Sequence, residues 1–246
     1  MPDNADWSPL RAALQSCRAA GCVPHLWWRD DDAVATTAAL DRLASLSEQV
    51  GVPVHLAVIP AHATPELAAY VTNAPLIPVV HGWAHADHST PDEKKNEFLT
   101  PRAGALDDAA HGLARMQDLF ADTVRRMFVP PWNRIHDNIV AALPAMGYTA
   151  LSNFGPRPTP AGGITRINTH VDPIDWKGTR GLLDAQSLID GAARNLMDRA
   201  AFRADPTEPF GLLTHHLVHD AAIWDFSRTF LTELLQGGAT PWQMET

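Results

Sequence analysis

The sequence predicts a single α/β domain whose parallel strands form a barrel. Short apolar runs alternate with amphipathic stretches along the 246 residues, which is typical of strands connected by helices. Polar and titratable residues follow five of the predicted strands directly. In a parallel α/β barrel such residues share the face at the carboxyl ends of the strands. We therefore expect one functional site, built from five loops on that face.

Capping and turn residues define the elements of the first half of the chain. Ser8-Pro9 is a cap followed by a proline in the first turn, so a helix begins there and ends before Gly21. A second helix, over about residues 36–50, ends at Gly51, and a short one begins at Thr64-Pro65. The three strands are expected at residues 23–28, 52–59 and 76–80, each followed by an acidic run, a proline or a histidine.

The second half of the chain repeats this pattern. Pro130-Pro131 ends the fourth strand, and Gly147 ends the helix that precedes the fifth. Helices are expected at residues 105–125, 138–146, 188–203 and 221–235. Strands are expected at residues 127–129, 148–152, 164–171 and 210–214.

Composition limits the function as well as the fold. With 46% hydrophobic residues, the chain can bury a sizeable core in one domain spanning residues 1–246. The formal net charge of −9 argues against nucleic acid or an anionic membrane as the main partner, and leaves neutral or cationic small substrates open. The chain start does not resemble a signal peptide, no apolar run could span a bilayer, and Cys17 and Cys22 form no disulfide framework. We therefore expect a cytoplasmic protein.

Two patterns on the expected barrel face predict a metal site. Asp30, Asp31 and Asp32 stand in a row at a strand end, where carboxylates repel one another unless a cation or a proton offsets their charge. His81 and His85 are four residues apart, so they can face one point if the segment turns helically. Two imidazoles and one carboxylate suit zinc and leave coordination positions open, which is typical of a catalytic site. The alternative for the aspartates is a capped turn.

Hydrolysis at such a site needs acid and base groups besides the metal. The ion would lower the pKa of its water and polarise a carbonyl, and a second aspartate beside the ligand is well placed as general base. A histidine from another strand end, His215 or His216, can protonate the leaving group, although a buried hydrogen-bonded pair is the alternative. The corner Pro130-Pro131-Trp132-Asn133-Arg134 and the later Trp176 are candidates for pocket walls that stack on a sugar.

Together these motifs resemble those of the polysaccharide deacetylases, carbohydrate esterase family 4. That family shows T-F-D-D, H-[ST]-x-x-H, R-x-P-Y or R-P-P-[YW], D-[SP]-x-D-W and a final L-x-H, in this order. The matching segments, within about residues 23–220, are Asp31-Asp32-Ala33, His81-Gly82-Trp83-Ala84-His85, Pro130-Pro131-Trp132, Asp172-Pro173-Ile174-Asp175-Trp176 and Leu213-Thr214-His215. Each motif alone is weak, whereas five in order at predicted strand ends are specific.

The resemblance implies a distorted (β/α)7 barrel that removes acetyl or related acyl groups from N- or O-acylated carbohydrates or small molecules. One divalent ion is implied, zinc first, with cobalt, nickel or manganese as alternatives. Its implied ligands are Asp32, His81 and His85. The implied acid–base residues are Asp31 as base, His215 or else His216 as acid, and Asp172 or Asp175 as the group that tunes the acid by its charge. The residues expected around the substrate are Arg29, Trp83, Pro131, Trp132, Arg134 and Trp176.

The sequence departs from the family pattern in ways that bear on these roles. Trp28-Arg29-Asp30 replaces Thr-Phe, so Asp31 and Asp32 could exchange the roles of base and ligand. Gly82 stands where the family has Ser or Thr. The family arginine that pairs with the base is Val129 here, and Arg29 or Arg134 could replace it. The lack of a secretion signal favours a small cytoplasmic substrate, such as a sugar nucleotide or a lipid-linked precursor, over a wall polymer.

Two other functions fit parts of the pattern. Asp30-Asp31-Asp32 has the Asp-x-Asp form of a magnesium-dependent phosphohydrolase of the haloacid dehalogenase type, which would leave His81 and His85 unexplained. A non-catalytic carbohydrate-binding or degenerate deacetylase domain would account for the missing arginine but not for the retained aspartates and histidines. A metal-dependent deacetylase accounts for the motifs together and is our main prediction.

Overall fold

The computed structural model describes residues 5–158 and 163–245, which form a curled parallel sheet surrounded by helices. Strands β1 to β8 are His25–Ala33, Val54–Val58, Leu76–His81, Met127–Val129, Ala150–Leu151, Thr165–Arg166, Phe210–Thr214 and Thr240–Pro241. Helices α1 to α7 are Ser8–Ala19, Ala38–Val50, Pro65–Val71, Ala105–Phe120, Asp137–Ala142, Ala185–Ala200 and Ala221–Gln236. Within the described residues, no helix combines the length and the apolar composition needed to cross a bilayer.

The strand order is that of a β/α barrel. It runs β6-β5-β4-β3-β2-β1-β7, so most strands lie beside their neighbours in sequence, and β7 returns to β1. All six of these pairings are parallel. Beyond β6, Val171 forms an isolated bridge with Leu212 of β7 instead of a continuous ladder, so the barrel is distorted rather than evenly closed. The predicted distorted barrel is therefore confirmed.

Alternating side chains of the strands form two cores. Leu26 and Trp28 belong to the larger one, between the sheet and the helices. The smaller core fills the barrel interior with Trp27, Ala57, Val79, Met127, Val129, Ala150 and Ile167, and side chains of the C-terminal tail pack against it. Because Trp242 N–H donates to the carbonyl of Leu26 at the start of β1, the tail covers the amino ends of the strands. The carboxyl ends remain available for a site.

Five of the seven predicted strands have limits that differ from those observed, and the two largest differences have local causes. β4 and β7 begin and end as predicted, but β1 continues beyond Trp28 to Ala33, because the aspartates within it have partners that offset their charge. The predicted strand 164–171 pairs with β5 only over Thr165–Arg166. The chain then leaves that ladder towards β7, where Leu213 N–H donates to Val171 at 2.8 Å. β8 was not predicted.

Candidate active site

The three aspartates of β1 do not alternate as they would on a regular strand. The ladder with β2 pairs Asp30 with Leu56 and Ala33 with Val58, so Asp31 and Asp32 together oppose one residue. Such a β-bulge re-aims side chains, and Asp32 has a left-handed φ of 74°. As a result, Asp31 and Asp32 both line one cavity, while Asp30 is completely buried outside its lining.

Donor atoms of Asp32, His81 and His85 converge at this cavity. Asp32 Oδ1 lies 3.1 Å from His81 Nε2 and 3.3 Å from His85 Nε2. His81 Nδ1 lies 3.0 Å from the carbonyl oxygen of Val129. Because that carbonyl can only accept, Nδ1 carries the proton and Nε2 turns its lone pair towards Asp32. Lone pairs on converging atoms repel unless a cation or a further proton lies among them, and these donors suit a divalent metal ion.

The pKa shifts of the three side chains reflect the same demand for positive charge. Burial raises the pKa of Asp32, but the hydrogen bond and charge of His81 outweigh it, so this pKa lies well below its usual value. Burial lowers the pKa of His81, but the carboxylates of Asp31 and Asp32 outweigh it and raise this pKa. Burial and the neighbouring His81 lower the pKa of His85. Positive charge is therefore stabilised beside Asp32, whether a proton or a metal ion supplies it.

Asp31 is held by an arginine of its own strand. Arg29 Nε lies 2.9 Å from Asp31 Oδ1, and Arg29 Nη2 donates to Oδ2 at 2.9 Å. Residues two apart on a strand face the same side, so the pair forms without a loop. The guanidinium also donates to Ser152 Oγ at 2.7 Å and to Asn133 Oδ1 at 2.8 Å. Arg29 was expected either at the substrate or beside the base. It is completely buried and pairs with Asp31, so it takes the second of these places, and Arg134 does not.

The two histidines after β7 have different environments. His215 lines the cavity, with Nε2 4.0 Å from Asp31 Oδ2 and with the Trp176 ring edge-on at 4.6 Å. His216 is buried, and its Nδ1 lies 2.5 Å from Asp30 Oδ1. Asp30 also accepts the His216 backbone N–H at 3.0 Å. The alternative of buried, hydrogen-bonded histidines therefore applies to His216 alone, with Asp30 as its partner, and His215 remains the candidate acid.

Asp172 lines the cavity without a hydrogen bond to His215 among the described residues. Its carboxylate accepts the Trp176 indole N–H at 2.8 Å and the Ile174 backbone N–H at 3.0 Å. Burial raises the pKa of Asp172 more than the nearby His215 lowers it. Trp176 also packs on His215, so this indole contacts both Asp172 and the candidate acid.

A cavity of about 600 Å³ collects most of the predicted site residues. Its lining residues are Asp31, Asp32, His81, His85, Lys95, Trp132, Asn133, Arg134, Asp172, Trp176, Lys177, Arg180 and His215. Five predicted residues do not line it: Arg29 and His216, described above, and three others. Pro131 is buried against the loop after β3, Trp83 lies beside α4, and Asp175 accepts backbone N–H groups of its own loop.

Several residues of the cavity carry no signal in the sequence. The lining residues that were not predicted are Lys95, Lys177 and Arg180, whereas Asn133 lies in the predicted corner Pro130-Pro131-Trp132-Asn133-Arg134. Glu97 was also missed; it is completely buried and accepts the backbone N–H groups of Trp83 at 3.3 Å and Ala84 at 2.8 Å. Isolated basic or acidic residues in polar loops look alike in sequence, and only the tertiary fold brings some of them to one place.

Backbone strain concentrates at the same cavity. Seven non-glycine residues of the described chain have a left-handed φ, and five of them line the cavity: Asp32, His85, Trp132, Asn133 and Arg180. This conformation costs an L-residue about 1–2 kcal/mol, and it persists at functional sites where the surrounding contacts hold it. The clustering supports a functional role for the cavity independently of its side-chain chemistry.

Solved structures with this fold include several polysaccharide deacetylases. A family 4 carbohydrate esterase from Streptomyces lividans, in complex with acetate, gives a TM-score of 0.55 at 13% identity over 90% of this chain and 93% of its own. The polysaccharide deacetylase Bc1974 from Bacillus cereus gives 0.55 at 11% identity over 91% and 94%. A family 4 pseudoenzyme from Bacillus anthracis gives 0.54 at 14% identity over 89% and 63%. No family model and no curated protein matches the sequence.

The fold and the cavity define a parallel β/α barrel with its candidate site at the carboxyl ends of the strands. This is the fold of the family 4 carbohydrate esterases, so the resemblance predicted from the five motifs is confirmed at the level of the fold. At 11–13% identity to the two deacetylases, the likeness extends to the fold alone, and the activity must be argued from the site.

Proposed function

We propose that this protein is a metal-dependent hydrolase that removes an acetyl or related acyl group from an N- or O-acylated carbohydrate or small molecule. One observation carries the proposal: a candidate metal site, a buried arginine–aspartate pair and a histidine meet at one cavity. Metal-assisted acyl hydrolysis needs these three components within reach of one carbonyl. The deacetylase fold of similar solved structures supports the same chemistry.

Asp32, His81 and His85 would hold the ion. When bound there, it supplies Lewis-acid polarisation of the acyl carbonyl. Zinc suits two imidazoles and one carboxylate, and cobalt, nickel or manganese are alternatives. The two imidazoles come from the end of β3 and the loop after it, and the carboxylate comes from the bulge of β1.

Asp31 is the proposed general base and His215 the proposed general acid. Arg29 orients the Asp31 carboxylate through two contacts of 2.9 Å and stabilises its negative charge. The attacking water gives its proton to Asp31 as it adds to the acyl carbon. His215, with Nε2 4.0 Å from Asp31 Oδ2, then protonates the leaving nitrogen or oxygen, so that its bond to the acyl carbon breaks. The products are a carboxylic acid and a free amine or hydroxyl group.

Two indole rings support a carbohydrate as the carrier of the acyl group. The Trp132 ring lies 4.2 Å from the ring of His85, and the Trp176 ring lies 4.6 Å from that of His215. One indole therefore stands beside a candidate metal ligand and the other beside the candidate acid. Such rings offer large, rigid apolar faces with a polar N–H group, which suit the partly apolar face of a sugar ring. A cytoplasmic location remains a further prediction.

Metal content and acid release test the proposal together. We expect zinc-loaded protein to hold about one ion and expect Asp32→Ala or His85→Ala to lose it. Asp31→Asn should keep the ion and lose roughly 10²–10⁴-fold in turnover, because the base is removed while the ligands remain. The substrates are a panel of N-acetyl, N-formyl and O-acetyl compounds, and the released acid is measured. Asp118→Asn, on the exposed face of α4, is the matched control.

Each part of the proposal has an outcome that contradicts it. Full activity of Asp31→Asn would show that another group is the base. If the protein retains no ion after incubation with zinc, the proposal as a whole is overturned. Binding of metal and sugar without acid release would favour a non-catalytic role, like that of the pseudoenzyme with this fold.

The structure weakens the case for both alternative functions. The missing family arginine was the feature that favoured a degenerate domain, and Arg29 supplies an equivalent pair with Asp31. The phosphohydrolase requires two carboxylates of an Asp-x-Asp pattern in one cavity. Asp30 is instead bonded to His216 and lies outside the cavity lining.

A further inference from the structure

The mouth of the cavity carries four basic side chains. Lysine and arginine make up 19 of the 246 residues but four of the thirteen lining residues, so basic residues are concentrated there in an acidic chain. These four residues, which we call the basic rim, are Lys95, Arg134, Lys177 and Arg180. They come from three separate loops, after β3, after β4 and before α6.

The basic rim has no acidic partner. Elsewhere arginines pair with carboxylates, as Arg102 does with Asp108 and Arg157 with Asp205. Among the residues that the structure describes, no carboxylate oxygen lies within 4.0 Å of a charged nitrogen of the rim. The aspartates of the cavity are engaged by other groups: Asp31 by Arg29, Asp32 by histidines and Asp172 by Trp176. The charge of the rim is therefore available to a ligand.

Two members of the rim are held in position towards the cavity. Arg134 Nη1 donates to the carbonyl of Lys95 at 2.5 Å, which joins two of the three rim loops. The Arg180 guanidinium lies over the Trp176 ring, 5.2 Å from its centroid, and the Arg180 backbone has a left-handed φ of 60°. A strained residue that is stacked on a cavity wall fits a binding role better than that of an unconstrained surface arginine.

We propose that the substrate carries an oxyanion, a phosphate or a carboxylate, which the basic rim binds while the acyl group reaches Asp31 and His215. The guanidinium forks of Arg134 and Arg180 suit either oxyanion, and the lysines add point charges. This inference rests on the proposed function, because the bound oxyanion belongs to a substrate only if the protein is a hydrolase. It replaces the expectation from net charge, which left neutral or cationic substrates open, because the local charge of the cavity mouth opposes that of the whole chain.

Matched acylated sugars test the inference. The probes are N-acetylglucosamine as the neutral compound, N-acetylglucosamine 6-phosphate and 1-phosphate, and N-acetylmuramic acid as the carboxylate. For the best anionic probe, the double variant Lys177→Gln/Arg180→Gln should lower kcat/KM about tenfold to a hundredfold, and for the neutral probe less than about twofold. Added salt should lower kcat/KM for anionic probes only. Lys94→Gln, exposed beside Lys95 but outside the cavity lining, is the control and should change neither.

A binding measurement separates this inference from the proposed function. Calorimetry on metal-loaded Asp31→Asn protein, with and without the rim substitutions, gives the dissociation constant of each probe. Any contact of the probe with the metal site is common to both proteins. Rim-dependent binding of an anionic probe without turnover by wild-type protein would refute the hydrolase and keep the oxyanion site. Hydrolysis with equal effects of the rim variant on neutral and anionic probes would refute the oxyanion site and keep the hydrolase.

Discussion

At the scale of single residues, the pairing with Arg29 fixes the orientation of Asp31, the proposed base. The family pattern takes the arginine partner from another loop, whereas this chain takes it from two residues earlier on the same strand. Both side chains are nearly inaccessible, and the guanidinium also donates to Ser152 and Asn133. The Asp31 carboxylate is therefore positioned by its own strand, through a guanidinium that other residues hold in place. A lysine ammonium could not reproduce these contacts.

Arg29→Lys should keep the metal and lose activity. Because the fork that orients Asp31 is lost while the charge remains, turnover should fall roughly tenfold to a hundredfold. The lysine also leaves buried acceptors of Arg29 without a donor, which should lower the free energy of unfolding by about 3 kcal/mol. Turnover, metal content and urea denaturation measure these effects. Arg11→Lys alters a pair with Glu233 remote from the cavity and is the control; equal turnover in the two variants would contradict the role of Arg29.

At the scale of elements, the loop after β3 owes its shape to a glycine and a buried glutamate. Gly82 has a φ of 58°, and a Cβ there would stand 2.4 Å from Glu97 Oε2 and 2.6 Å from Pro131 Cδ. Glu97 in turn accepts two backbone N–H groups of the loop. The loop is thus packed between Glu97 and Pro131, which explains why glycine stands where the family has Ser or Thr. Because the loop connects His81 to His85, its shape sets the distance between the two imidazoles.

Gly82→Ala should weaken metal binding as well as the fold. The added methyl must displace Glu97 or Pro131 on top of the cost of a left-handed backbone, so we expect a destabilisation of about 2–4 kcal/mol. Gly51→Ala is the matched control, because Gly51 has a φ of 71° with no atom near its Cβ position. It should cost only about 1 kcal/mol. Metal competition titrations and urea denaturation distinguish the two; unchanged zinc affinity in Gly82→Ala would contradict the role of the loop.

At the scale of the whole molecule, the barrel has a filled end and an open end. His55 lies in the filled end, with Nδ1 3.3 Å from the carbonyl of Trp28 and with Nε2 accepting the Met244 backbone N–H at 3.1 Å. Its ring stacks on Trp242 at 5.6 Å. Burial lowers the pKa of His55 to about 4, and the nearby Arg125 acts in the same direction. The closed end of the barrel therefore requires a neutral imidazole.

This requirement predicts how stability depends on pH. The folded pKa is about 4 and the unfolded value is 6.5, so the contribution of His55 is complete above pH 6.5 and is lost as pH falls towards 4. The loss amounts to about 3 kcal/mol, because the unfolded state binds the proton first. Burial lowers the pKa of His219 to about 4 as well, so the comparison must isolate His55.

The measurement is urea denaturation between pH 8 and pH 4 of the wild type and of His55→Gln. The variant should be less stable at pH 8 but should lose about 3 kcal/mol less on acidification. His62→Gln, at an exposed position, should keep the wild-type pH dependence. Parallel pH profiles of the wild type and His55→Gln would show that the imidazole can be protonated inside the folded barrel.

Local patterns accounted for much of the architecture. Apolar runs identified β4 and β7 to the residue, with Pro130 after the first and His215 after the second, and glycines marked the ends of α2 and the segment before β5. These features depend on residues close in sequence, whose preferences act before the chain is packed. His81 and His85 also line one cavity, but the segment between them is a loop packed on Glu97 and Pro131, not the helical turn that their spacing suggested.

By itself, the sequence determined the barrel, the face that carries the site and the residue types that meet there. The tertiary structure decided their partners. Asp31 and Asp32 share a cavity only because of a bulge against β2, and Arg29 rather than Arg134 reaches the base because a strand faces one way at every second residue. Lys95 and Arg180, 85 positions apart in sequence, line the same cavity. Contacts of this kind arise from packing between distant segments, which no local pattern encodes.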